Sequence, residues 1–100
     1  MPARVETASG EPPTRQALEA RLIDQGLTPR GWANGPDDRY GWHRHTYHKV
    51  LYCISGSIVF HTRADGDLTL GPGDRLEIEP GTDHAATVGA TGVECIEAAI

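Results

Sequence analysis

The chain has 100 residues, 38% of them hydrophobic and 23% charged, with a formal net charge of −5. That length suits one domain whose single core covers a modest share of its surface. The acidic balance and the lack of a basic run exclude a nucleic-acid backbone and an anionic membrane surface as partners, and no apolar stretch approaches a membrane span.

Residues 1–13 hold three of the seven prolines and show no apolar periodicity. They are expected to form a disordered or loosely docked tail. The opening Met1-Pro2-Ala3-Arg4-Val5-Glu6 lacks the apolar segment of a signal peptide, which makes a cytoplasmic location the expectation. Residues 14–30 read as a helix and its connection. Thr14 is suited to N-cap a run of helix formers from Arg15 to Gln25. Leu18 and Leu22, with Ile23 beside them, form a narrow apolar stripe, and Gly26 is a stop signal. A helix of about three turns must pack on something to persist.

Residues 31–100 read as the main domain. Gly31 to Arg39 is strand edge and loop, with Trp32 expected to anchor a core or an interface, as is Trp42. Lys49 to Ser55 is rich in strand formers, Gly56 breaks it, and Ser57 to Thr62 resumes. Asp65-Gly66 marks a hairpin, Gly71-Pro72-Gly73-Asp74 turns again, and Arg75 to Glu79 alternates strictly. After Pro80-Gly81, the runs His84–Val88 and Val93–Ala98 complete the set. Short strands at regular spacing, separated by turn residues, predict an all-β sandwich or barrel. Cys53 and Cys95 lie in apolar runs and read as buried thiols, with a disulfide or redox pair as the alternative. A small barrel gains by covering an edge with a second copy, so a homodimer is expected.

Four of the five histidines fall near two places. His43, His45 and His48 cluster within Gly41 to Lys49, and His84 follows a Pro-Gly turn. Residues two apart on a strand share a face, so His43 and His45 aim two imidazoles in one direction. Burying imidazoles together is costly unless their lone pairs find a partner, and a divalent metal is an economical one. Asp74 reads as a turn-stabilising carboxylate, Asp83 as a solvated turn residue or a support for His84, and His61 as a surface histidine. Tyr47 and Tyr52 are candidates to line a pocket or to pack half-buried beside it, and Lys49 is a further lining candidate.

The stretch from Gly41 to about Val88 resembles the cupin superfamily. Its first motif matches His43-Arg44-His45, three further residues, Lys49, and six residues to Gly56. Its second motif matches Gly73 through Pro80-Gly81 to His84. The resemblance implies a single jelly-roll barrel preceded by a short helix, with His43, His45 and His84 as ligands of a divalent transition metal such as Fe, Zn, Ni or Mn. One departure stands out: Lys49 occupies the family's glutamate position, and an ammonium group repels a dication rather than binding it. Three arrangements then compete. The site is a three-histidine centre with open positions, as in some iron-dependent dioxygenases; or His48 swings in as a fourth ligand; or the pocket holds no metal, and Lys49 with the histidines binds a small anion. The corresponding functions are a metal-dependent, dioxygenase-like enzyme acting on a small organic acid, and a binding or sensing module without turnover. A turn at Thr46-Tyr47 breaks the strand alternation, which leaves the direction of His48 open.

Overall fold

The computed structural model describes residues 1–100. In chain order the elements are β1 (Ala3–Glu6), α1 (Arg15–Asp24), β2 (Arg30–Asn34), β3 (Arg39–His43), β4 (Lys49–Thr62), β5 (Gly66–Leu70), β6 (Arg75–Ile78) and β7 (His84–Ala99). All strand pairs are antiparallel, and the fold is the expected all-β jelly roll with one short helix.

Two long strands organise it. The first half of β4, Lys49–Tyr52, lies between β6 and the second half of β7, and β1 and β2 extend that sheet outward. The second half of β4, Ile58–Thr62, lies between β5 and the first half of β7, which also carries β3. Each long strand therefore serves both layers. Gly56 does not end a strand, as its helix- and strand-breaking character suggests, and the runs His84–Val88 and Val93–Ala98 belong to one strand. The β4–β7 register shifts between Cys53 and Ser55 and again between Gly56 and Ile58, so the pair bends where it would otherwise stop. Gly56 is required at this bend: its φ is +76°, and a Cβ there would lie 2.0 Å from the Gly92 carbonyl oxygen.

The bend also sets which residues face inward. Leu51 and Cys53 point into the core from the first half of β4, whereas Ile58 and Phe60 do so from the second half. On β7 the inward positions are Ala86 and Val88, then Val93 and Cys95. Both cysteines are buried free thiols, facing each other in register.

The outer face of the first sheet carries a second core. Leu18 and Leu22 of α1 are fully buried there against Val50, Tyr52, Ile96 and Ala98. At roughly 1.5–3 kcal/mol per buried aliphatic side chain, this contact holds a helix too short to stand alone. Thr14 caps it as expected, its hydroxyl accepting from the Ala17 N–H at 3.2 Å. Ile23 departs from the expected stripe and is 59% exposed, because the contact face is only wide enough for the Leu18–Leu22 row.

The expectation of a loose tail over 1–13 needs correction. Ala3–Glu6 pairs with β6, Ala3 is fully buried, and its N–H donates to Asp65 at 3.0 Å. The Ala8 N–H donates to Asp74 Oδ1 at 2.8 Å, while Asp74 Oδ2 accepts from Gly71 in the turn it stabilises. Four residues are too few to show a periodicity. Their order comes from the open edge of β6.

Candidate metal centre

The pairing of β3 with β7 sets His43 directly opposite His84, and His45 follows two residues on, just past the strand end. The ring centroids are 4.2 Å apart for His43–His84, 4.9 Å for His43–His45 and 5.1 Å for His45–His84. One ligand atom from each ring lies within 4.8 Å of the others. Two stretches of chain about forty residues apart thus converge on one point, as the two motifs require.

Backbone carbonyls orient two of the rings. His84 Nδ1 lies 2.9 Å from the Thr82 carbonyl oxygen, and His43 Nδ1 lies 2.7 Å from that of Gly41. A carbonyl only accepts, so each Nδ1 carries the proton and each Nε2 presents a lone pair. The Nε2 atoms of His45 and His84 are buried without a hydrogen-bond partner. Burial pushes the His84 pKa down to about 4, with the charges of His43, Lys49 and His45 adding to it against the Thr82 hydrogen bond. Burial also lowers His45, helped by Lys49 and His43 and opposed by Glu97. Neutral imidazoles with converging, unpartnered lone pairs are a donor set suited to a divalent transition metal.

The histidines line a cavity of about 240 Å³ whose walls include Trp32, Tyr40, Tyr47 and Phe60. Tyr47 stacks on His45, centroids 4.8 Å apart and planes 26° from parallel, which steadies the one ring without a carbonyl partner. Lys49 enters the same cavity because it continues the inward row of Leu51 and Cys53. Its ammonium lies 3.3 Å from Glu97 Oε1, and both side chains are nearly buried.

His48 is not a fourth ligand. With Lys49 inward, its neighbour turns outward, where His48 Nε2 lies 3.0 Å from Glu77 Oε1. Burial opposes ionisation of Glu77, but that hydrogen bond and the charges of Arg75 and Arg4 outweigh it and hold the carboxyl below its ordinary pKa. His61 also lies outside the cluster, between Asp67 and Thr87. Asp83 pairs with Arg44 at 2.9 Å and leaves the support of His84 to the Thr82 carbonyl. Trp42 is 48% exposed beneath the Arg63 guanidinium and anchors no core. Tyr52 faces α1, away from the cavity.

Glu97 has no place in either motif, yet it reaches the cavity. The signal was present in the alternation Val93, Cys95, Glu97, which carries a carboxylate along an inward row. Trp32 combines packing with polar work: it rests on the core and donates its indole N–H to Glu97 Oε1 at 2.6 Å.

The model of the cupin domain (Cupin_2) matches residues 33–96, more than half of the chain. The chain belongs to the cupin family. Solved structures agree with the fold. A chain from the crystal structures of the DMSP lyases RdDddP and RnDddQII superposes with a TM-score of 0.69 at 29% identity, over 75% of this cupin. The match spans only 38% of that longer chain. A cupin-2 domain containing protein from Shewanella frigidimarina NCIMB 400 gives a TM-score of 0.62 at 18% identity, covering 72% of this chain and 68% of its own. A DUF861 family protein from Thermotoga maritima gives 0.68 at 13% identity, over 98% of this chain and 99% of its own. No curated protein matches the sequence. At the position of the motif carboxylate this cupin carries a lysine, paired with Glu97 of the neighbouring strand.

Proposed function

We propose that this cupin is a metal-dependent enzyme whose three-histidine centre binds a divalent transition metal (Fe, Zn, Ni or Mn) and acts on a small organic acid. The reading rests above all on the buried, unpartnered Nε2 atoms of His45 and His84 converging with His43. A bound metal there supplies Lewis acidity and, if it is iron, a redox route to dioxygen.

The donor set supports an acid as the ligand. Imidazole ligands carry no charge and leave that of a dication uncompensated, and in a half-open cavity an anion is the natural complement. The Lys49–Glu97 pair adds no net charge to that balance. The cavity volume of about 240 Å³ corresponds to about eight waters, room for a small acid. A metal-free module that grips an anion with Lys49 and the histidines is disfavoured, since Glu97 already engages the ammonium.

Oxygenation is the first reaction class to test, because open histidine-rich sites suit Fe(II). A non-oxidative, lyase-type reaction is the second, favoured by the 29% identity to a chain from the DMSP lyase structures. Turnover of a carboxylic acid panel with and without dioxygen separates the two.

The metal reading is tested on protein purified without a histidine tag and reconstituted with Fe(II), Zn(II), Ni(II) and Mn(II) in turn. Wild type is expected to retain one equivalent of at least one metal, and His84→Ala less than about a tenth. Wild type retaining less than about a tenth of an equivalent of every metal overturns the proposal.

A further inference from the structure

Inside the cavity, Glu97 is held by two donors that meet at one oxygen. The Trp32 indole N–H reaches Oε1 at 2.6 Å, and the Lys49 ammonium lies 3.3 Å from the same atom. Trp32 comes from β2 and Lys49 from β4, the strands on either side of this part of β7. The carboxylate is thus fixed from both flanks while Oε2 remains free to accept. Across the cavity, the three imidazoles present lone pairs, so Glu97 and the histidines are acceptors. A molecule that fills the space between them needs its anionic end toward a metal at the histidines and a hydrogen-bond donor toward Glu97.

We infer that Glu97 is the residue that selects the ligand, accepting a hydrogen bond from the hydroxyl of a small hydroxy acid whose carboxylate lies at the three-histidine centre. This rests on the metal-binding reading and extends it from small acids in general to those with an O–H donor. Lys49 is the positioning residue. It offsets the charge of Glu97 and, with Trp32, keeps the second oxygen turned to the ligand. A lysine at the motif's glutamate position then has a role: it moves the site's carboxylate from the metal to the ligand.

The test uses protein loaded with Zn(II), its metal content measured first, and two probes, glycolate and propionate. They have equal numbers of heavy atoms and differ by a hydroxyl in place of a methyl. Affinities are taken from calorimetric titration for wild type and for Glu97→Gln, which keeps the shape but turns an acceptor into a donor. A hydroxyl that only chelates the metal favours glycolate equally in both proteins. A hydroxyl read by Glu97 gives wild type a glycolate preference at least about ten times that of the variant. Equal preferences in two metal-loaded proteins overturn the role of Glu97 and leave the metal reading standing. Failure of wild type to retain zinc or any of the other metals overturns both.

Should Glu97→Gln fail to fold, the unaltered protein decides. With 13C-labelled glutamate, the Glu97 carboxyl resonance is expected to shift on addition of glycolate and to stay in place with propionate. Equal responses to the two acids overturn the inference.

Discussion

Lys49 and Glu97 form an ion pair within the barrel, 3.3 Å from Nζ to Oε1, with about a tenth of each side chain exposed. The two lie on neighbouring strands, and Glu97 sits opposite Leu51 in the β4–β7 register, one step along the inward row from Lys49. A lysine would be an obstacle in a metal-binding cavity if it stood alone. With Glu97 beside it the pair carries no net charge, and the indole of Trp32 supplies a further hydrogen bond.

Breaking the pair from one side is therefore expected to destabilise the metal-free protein. Lys49→Met leaves Glu97 nearly buried with one donor, and a loss of about 3–5 kcal/mol is expected. The double change Lys49→Met with Glu97→Gln removes both charges and is expected to recover a large part of that loss. Urea unfolding of the three proteins measures the difference. A double variant no more stable than Lys49→Met contradicts a paired role.

Restoring the family's carboxylate has opposing effects. Lys49→Glu removes a repulsive charge from the histidine centre, so metal affinity is expected to rise at least about tenfold, read by competition with a chelator. The same change sets two carboxylates side by side, so the metal-free protein is expected to melt at a lower temperature. Unchanged affinity would mean that residue 49 does not sense the metal.

The metal-free fold is expected to weaken in mild acid. The His84 pKa drops from an unfolded value near 6.5 to about 4 on folding. Between these values the unfolded chain binds more protons than the folded one, so stability declines as pH falls from about 6.5 toward 4 and is steady, as far as His84 is concerned, above that window. His45, also lowered, acts with the same sign. Replacing His84 by Asn should flatten the dependence measured by unfolding at a series of pH values. A wild-type profile equal to that of His84→Asn would show that burial of His84 carries no such penalty.

The helix contact and the metal centre lie on opposite faces of the first sheet and should separate. Leu22→Ala empties a fully buried position and is expected to cost about 2–5 kcal/mol, while zinc stoichiometry measured on the folded protein stays at the wild-type value. Loss of metal from a protein that remains folded would show that α1 helps to hold the site.

Much was determined by local sequence alone. Thr14 before a run of helix formers marked α1, and turn residues such as Asp65-Gly66 marked the strand ends, because capping and turn geometry are settled within a few residues. The spacing of His43 and His45, with His84 after a Pro-Gly turn, supplied the three ligand positions through the resemblance to a known motif. What only the tertiary structure decided was phase and partnership. A bulge near Gly56 moves the inward face of β4 from odd to even positions, whereas the parity survives the Thr46-Tyr47 turn, so that His45, Tyr47 and Lys49 all line the cavity. His48 therefore turned out to face Glu77, and Lys49 to face Glu97. Residues 3–6 became a strand only because β6 offered them an edge. Alternation is a local rule, but its phase, and the distant group that meets each side chain, are set by strand pairing across nearly the whole chain.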